Sequence, residues 1–95
     1  MDHKQIEDVL LLQYNYSSGA ARLTASRIEG MDPSIKAALE TFLQTGQAHE
    51  IVVGQYTLSS LINDYGLLPP AAYLTISDLK KNYSLMHEIL QIGKM

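Results

Sequence analysis

One stretch near the middle of the chain, from Asp32 to Leu43, constrains the fold more than any other. Its apolar residues recur at the helical spacing i, i+3, i+4, i+7 and i+8, and they are Ile35, Ala38, Leu39, Phe42 and Leu43. Asp32 can accept a backbone N–H as an N-cap, and Pro33 suits the first helical position, where no N–H is needed. Gly46 follows the last apolar residue, as is typical where a helix ends. The pattern predicts a helix with one buried face, and we expect the other helices to pack around it.

The composition is that of one small folded domain spanning residues 1–95. Hydrophobic residues make up 46% of the chain and charged residues 18%, a balance unlike that of disordered chains. The net charge of −3 argues against nonspecific binding to nucleic acid or anionic membranes, because both depend on Lys and Arg. The absence of cysteine excludes disulfides, thiolate catalysis and Cys-ligated zinc. No apolar run approaches the roughly 18 residues of a membrane span, so we expect a cytoplasmic protein without a membrane partner.

Helical spacing of apolar residues recurs on both sides of the central stretch. It predicts a mostly α-helical bundle of five or six short helices, the others lying over 3–14, 20–28, about 57–66, 70–81 and about 83–92. The first two either separate before Gly19 or run on through it, because one glycine costs only about 1 kcal/mol inside a helix. The helix over 70–81 either is continuous or restarts at Thr75, which has the spacing of a capping box. In the last helix we expect four residues to be buried, namely Leu85, Met86, Ile89 and Leu90.

A strand signal follows the central helix. Ile51, Val52 and Val53 are three consecutive β-branched residues before Gly54, a pattern that favours a short strand or hairpin near 51–56. A single strand leaves backbone groups unpaired. We expect its mate to be a segment around Gln55, a distant segment, or the same strand in another copy of the chain.

Two features favour contact with a protein partner. Leu11 and Leu12 widen the apolar face of the first helix, which is therefore either a core helix or one shared between the core and a partner. Tyrosine joins an apolar ring to a polar hydroxyl and is common at interfaces. With the strand included, the candidate interface residues are Leu11, Leu12, Tyr14, Tyr16, Ile51, Val53 and Tyr73.

The region 57–81 has the outline of a helix-turn-helix, since a turn at Gly66 joins two predicted helices. The second of these begins Pro70-Ala71-Ala72 and offers no Arg, Asn or Gln to base edges in its first turns, where recognition helices read DNA. Lys80 and Lys81 could meet phosphates, but they lie at its far end. An ordinary helical hairpin is the simpler interpretation, and nucleic-acid binding through these lysines is the alternative.

Residues for catalysis or metal binding form no recognisable pattern. None of His3, His49 and His87 has metal-ligand spacing with another histidine, and only the fold decides whether they converge. No serine lies in a Gly-x-Ser-x-Gly motif, and the glycines are dispersed instead of forming a phosphate-binding loop. We therefore predict no catalytic residue, no cofactor and no metal site, and we expect that the protein is not an enzyme.

These observations lead to one functional hypothesis and one alternative. The hypothesis is a small intracellular, non-catalytic interaction or regulatory module that presents an apolar patch to an unidentified protein partner or to its own copy. The alternative is a nucleic-acid-binding or accessory protein of the helix-turn-helix type.

Overall fold

The helices predicted from the sequence are present, and a short hairpin lies between the third and the fourth of them. A computed structural model describes residues 1–94. In this part of the chain the helices are α1 (His3–Gln13), α2 (Ser18–Glu29), α3 (Pro33–Thr45), α4 (Leu58–Asn63), α5 (Pro69–Lys81) and α6 (Tyr83–Lys94). The strands are β1 (Val52–Val53) and β2 (Tyr56–Thr57), which pair antiparallel. The mostly α-helical fold class with one short hairpin is therefore confirmed.

Local capping interactions explain where the helices begin and end. The Asp32 carboxylate accepts the backbone N–H of Ile35 at 3.2 Å, and Gly46 ends α3 in the left-handed region, with φ of 78°. Ser17 caps α2 by accepting the N–H of Ala20 at 3.2 Å. Because α1 has already ended at Gln13, α1 and α2 are separate helices. α5 is likewise continuous, without a restart at its middle.

The most buried helix is α5, so the prediction that the chain packs around α3 is wrong. α5 contacts α3, α4, α6 and β1, and it buries residues on more than one face: Pro70, Ala72, Tyr73, Leu74, Ile76, Ser77 and Leu79. α3 buries only the stripe of Ile35, Leu39 and Leu43. The physical reason is that α5 is apolar or small over most of its circumference, and such a helix is most stable in the interior. Ser77 joins the two helices by accepting the backbone N–H of Asp32 at 3.0 Å.

The last helix, α6, packs through only part of the face predicted from the sequence. Leu85 and Ile89 are 52% and 49% exposed, whereas Met86 and Leu90 pack against the core as partly buried residues. The predicted burial of Leu85 and Ile89 is therefore wrong. Apolar residues lie on both sides of this helix, and the side that faces the hairpin carries polar partners as well.

Those polar partners meet the hairpin around the buried side chain of Tyr56. The hydroxyl of Tyr56 lies 2.7 Å from Nδ1 of His87 and accepts the amide of Gln91 at 3.1 Å. Tyr83 stacks on His87 with ring centroids 5.7 Å apart, and its hydroxyl accepts the backbone N–H of Gln55 at 3.3 Å. These residues recur at the helical spacing i, i+4, i+8, so a single stripe of α6 makes all of these contacts.

Tyr73 lies in the core and not on an exposed interface, because it is 1% exposed. Its ring packs against Phe42 with centroids 5.8 Å apart, and burial together with the nearby Tyr14 raises the pKa of its hydroxyl. Among the described residues, the Tyr73 hydroxyl is the buried side-chain polar atom without a hydrogen-bond partner. A buried polar group left in this way costs free energy.

We expect Tyr73→Phe to leave the free energy of unfolding unchanged or to raise it by about 1 kcal/mol, because the change removes an unpaired buried hydroxyl and keeps the ring. Tyr56→Phe is the matched control, since it removes a hydroxyl that is paired. That variant should lose about 1–2 kcal/mol. Urea denaturation of both variants tests the difference. An equal loss in both would contradict the unpaired state of the Tyr73 hydroxyl.

None of the helices in the described range is both long enough and apolar enough to cross a membrane.

Candidate interaction groove

The hairpin settles which segment pairs with the predicted strand. Val52 is opposite Thr57 and Val53 is opposite Tyr56. The connecting turn contains Gly54 at φ of 61°, a conformation that two-residue hairpin turns require and that glycine adopts without strain. The mate of β1 is therefore the neighbouring segment of the same chain, the first of the three predicted alternatives.

One edge of this hairpin remains open at Val52. In an antiparallel pair, bonded and non-bonded residue pairs alternate. In two-residue hairpins the pair next to the turn, here Val53 and Tyr56, is hydrogen-bonded. Farther from the turn, the N–H of Leu58 donates to the carbonyl of Ile51 at 2.9 Å. Val52 and Thr57 between them therefore direct their backbone N–H and C=O groups away from each other.

The outward-facing backbone groups of the two strands differ in their hydrogen-bond partners. On the β2 side, the Ser60 hydroxyl accepts the N–H of Thr57 at 3.3 Å and donates to its carbonyl at 2.9 Å. On the β1 side, no described residue forms a hydrogen bond with the outward-facing N–H or C=O of Val52. Val52 is 63% exposed. An unpaired strand edge is a template for an added strand.

A groove of about 390 Å³ lies beside this open edge, between β1 and α3. Its lining residues are Ser34, Ile35, Ala38, Ile51, Val52, Val53 and Lys80. Most of them are apolar, and Val52, whose backbone is unpaired, is one of them. We call this site the β1–α3 groove.

Polar groups occupy part of the lining of the β1–α3 groove. The Lys80 ammonium lies 3.2 Å from the carboxylate of Asp32 and 3.4 Å from the hydroxyl of Ser34. The Ser34 hydroxyl donates to Asp32 at 2.5 Å. This hydrogen bond, helped by Lys80 and by the N–H of Ile35, lowers the pKa of Asp32 to about 2. Asp32 is therefore ionised and its oxygens are engaged within the chain.

The structure brings some of the predicted interface residues together and separates others. Ile51 and Val53 both line the β1–α3 groove. Leu11, Tyr14 and Tyr16 are partly buried against the core, whereas Leu12 is 85% exposed; none of these four lines the groove.

Sequence reasoning missed several lining residues of the groove. Ile35 and Ala38 were expected only as core residues of α3, and Ser34 was not singled out. The sequence places Val52 in a strand. Because successive side chains of a strand point to opposite faces, its position between Ile51 and Val53 is the one signal that its side chain points away from theirs.

The two lysines proposed as nucleic-acid contacts interact within the chain. Lys80 bonds to Asp32 and Ser34, and Lys81 donates to the carbonyl of Gly30. The would-be recognition helix, α5, is the most buried helix of the described chain. A recognition helix has to enter the major groove of DNA, so this geometry does not favour the helix-turn-helix alternative.

A smaller cavity of about 240 Å³ lies near the start of α4 and is lined in part by His49, Glu50 and Ser59. The Glu50 carboxylate accepts the hydroxyl of Ser59 at 2.5 Å and its N–H at 3.0 Å. These hydrogen bonds lower the pKa of Glu50. These contacts attach the segment before β1 to α4.

The three histidines lie in different parts of the structure. Nδ1 of His3 lies 2.7 Å from Glu29, His87 bonds to Tyr56, and His49 lines the smaller cavity. In the described part of the chain, no three His, Cys, Asp or Glu side chains are placed to hold a metal ion.

Comparison of the chain with protein-family models, with curated proteins and with solved structures found no match in any of the three.

Proposed function

We propose that this protein is a small, non-catalytic interaction module that binds an extended segment of a partner protein in the β1–α3 groove. The observation that carries the proposal is the unpaired backbone of Val52 beside an apolar groove. Addition of a peptide strand to an exposed sheet edge is a recurring mode of recognition, in which backbone hydrogen bonds supply affinity and side-chain pockets supply specificity.

The groove geometry suits this mode. An added strand would lie about 4.8 Å from β1, with its N–H and C=O groups opposite those of Val52. Its side chains would alternate in direction, so every second one would point toward the floor formed by Ile35 and Ala38. Because β1 has two residues, few backbone hydrogen bonds are available and we expect weak, reversible binding.

The cellular context forms part of the same proposal. We place the protein in the cytoplasm, a location supported by the absence of cysteine, since small secreted domains commonly depend on disulfides. The partner is an unidentified protein, and reversible occupation of the groove would suit a regulatory role. Pairing of β1 with β1 of a second copy would be an alternative use of the same edge, and the experiments below distinguish it from peptide binding.

Selection of peptides from a displayed random library tests the proposed function. We expect the wild-type protein to enrich extended sequences with alternating apolar residues. Ala38→Glu, which places a charge in the groove, should weaken their binding at least about tenfold, because an unpaired charge is costly in an apolar site. Ala37→Glu is the matched control, since Ala37 is exposed on the same helix and does not line the groove.

A second pair of variants tests the role of the strand edge. Val52→Pro removes the outward N–H without removing a hydrogen bond of the hairpin, and Val52→Thr keeps that N–H. Binding should be lost in the first variant and retained in the second, with circular dichroism showing that both are folded. Peptides that bind all four variants equally, or the absence of any enriched peptide, would overturn the proposal.

A further inference from the structure

We propose that the segment bound in the β1–α3 groove carries a carboxylate that pairs with Lys80. This inference rests on the proposed function and specifies the chemistry of the partner. Lys80 is the charged residue among the described groove lining, and its side chain is 51% exposed. An apolar peptide with an acidic group therefore complements the groove in both shape and charge.

The hydrogen bonds around Lys80 favour an anion over a cation in the bound segment. An ammonium group has three N–H donors, and Asp32 and Ser34 are the acceptors that lie near it. Because the Lys80 side chain is 51% exposed, a group in the groove can still approach its ammonium from the solvent side. Asp32, by contrast, is not among the described residues that line the groove, its side chain is only 18% exposed, and both of its oxygens lie 3.2 Å from the Lys80 ammonium. A charged group in the groove therefore meets Lys80 before it reaches Asp32.

The same reasoning favours a different protein over a second copy of this chain. If β1 of a second copy paired with the open edge, the nearest carboxylate it would bring is that of Glu50, just before β1. That carboxylate is bound to the hydroxyl and backbone N–H of Ser59 and to the N–H of Ile51. A second copy would therefore have to break hydrogen bonds of its own before it could contact Lys80.

Two sources of the carboxylate share this chemistry, namely an acidic side chain and a C-terminal carboxylate. For the peptides that require an intact groove, we would synthesise the parent, a form with each Asp or Glu replaced by its amide, and a form with an amidated C-terminus. Binding would be measured by fluorescence anisotropy against wild type, Lys80→Met, Lys80→Gln and Lys81→Met. Lys81→Met is the matched control, since its amine contacts Gly30 outside the groove.

We expect neutralisation of one carboxylate to weaken binding to wild type and to Lys81→Met by up to about fivefold, the upper end of the range for an exposed ion pair. The same neutralisation should not change binding to either Lys80 variant. The peptide form that loses affinity for wild type shows whether the carboxylate is an acidic side chain or the C-terminus. Higher salt should reduce the difference.

The outcomes separate this inference from the proposed function. Two results would refute the carboxylate and leave the peptide-binding function standing. In the first, Ala38→Glu abolishes binding but neutralised peptides bind wild type as well as the parent does. In the second, neutralisation weakens binding to the Lys80 variants as much as it weakens binding to wild type. If no peptide depends on the groove, both are refuted. A wild-type dimer in sedimentation equilibrium that dissociates in Val52→Pro would assign the groove to a second copy and overturn the inference.

Discussion

Leu79→Ala is expected to lower the free energy of unfolding by about 2–5 kcal/mol, the range for truncating a fully buried leucine. Leu79 is 0% exposed and lies on α5, the helix that contacts most of the other elements. Truncation removes transfer free energy and leaves a cavity that the surrounding helices fill only in part. Against the roughly 5–15 kcal/mol available to a domain, this loss is large.

Leu85→Ala is the matched control, because the substitution is the same and the site is exposed. Leu85 is 52% exposed on α6, and alanine is at least as good a helix former as leucine. We expect a change within about 0.5 kcal/mol, as for other surface substitutions. Urea denaturation followed by circular dichroism measures both variants, and unchanged m-values would show that the unfolded states are comparable.

Equal losses in the two variants would contradict this account of the core. They would mean that the outer face of α6, with Leu85, Ile89 and Ile92 exposed in the chain, is covered in solution. A loss that depends on protein concentration would identify the cover as a second copy.

Gly54→Ala should lower the free energy of unfolding by about 2–4 kcal/mol, through backbone strain and overpacking together. Gly54 has φ of 61°, and an added Cβ would collide with the ring of Tyr83. The tyrosine ring would have to move, and the hydrogen bond from Gln55 to its hydroxyl would be broken. Because Tyr83 begins the stripe by which α6 contacts the hairpin, the damage should extend beyond the turn.

Gly46→Ala separates the backbone contribution from the collision. Gly46 also has a positive φ, 78°, but the added Cβ meets no described residue within 4 Å apart from its immediate neighbours along the chain. We expect a loss of about 1–2 kcal/mol there, the cost of the left-handed conformation alone. Thermal and urea denaturation compare the two variants.

The double variant Gly54→Ala with Tyr83→Ala completes the test. In the Tyr83→Ala background, Gly54→Ala should cost no more than Gly46→Ala does in the wild type, because the colliding ring is absent. If Gly54→Ala costs the same in both backgrounds, Tyr83 does not contact the turn as described.

The sequence was sufficient to locate the helices but not to rank them by burial. Asp32, Ser17 and Thr57 each cap a helix at or near the predicted start, because a cap is a contact between residues two or three apart. The apolar stripe of α3 was equally visible, and it is buried. The sequence pattern underestimates the burial of α5, because the burial of Tyr73 and Ser77 depends on elements that pack against this helix from other directions.

The candidate site was only partly predictable for a related reason. Ile51 and Val53 were identified from β-branching, which is a local property. The other walls of the β1–α3 groove come from α3 and from Lys80 of α5, and no spacing along the chain relates these residues to β1. The sequence indicates the charge of Lys80, which suits the nucleic-acid alternative, but it does not indicate the contact with Asp32, because that contact joins residues separated by 48 positions.

The sequence by itself determined the positions of the helices and the strand of the hairpin, because periodicity, capping and turn chemistry act over a few residues. The end of α4 is an exception, since the helix predicted over about 57–66 stops at Asn63. Tertiary structure decided which side of α6 is buried, that α5 and not α3 occupies the centre, and that one edge of the hairpin stays open beside a groove. On α6 the residues Met86 and Leu90 on one side, and Leu85 and Ile89 on the other, are similarly apolar. Which side is buried depends on the fit to Tyr56 and the hairpin, and this fit exists only after distant parts of the chain have packed together.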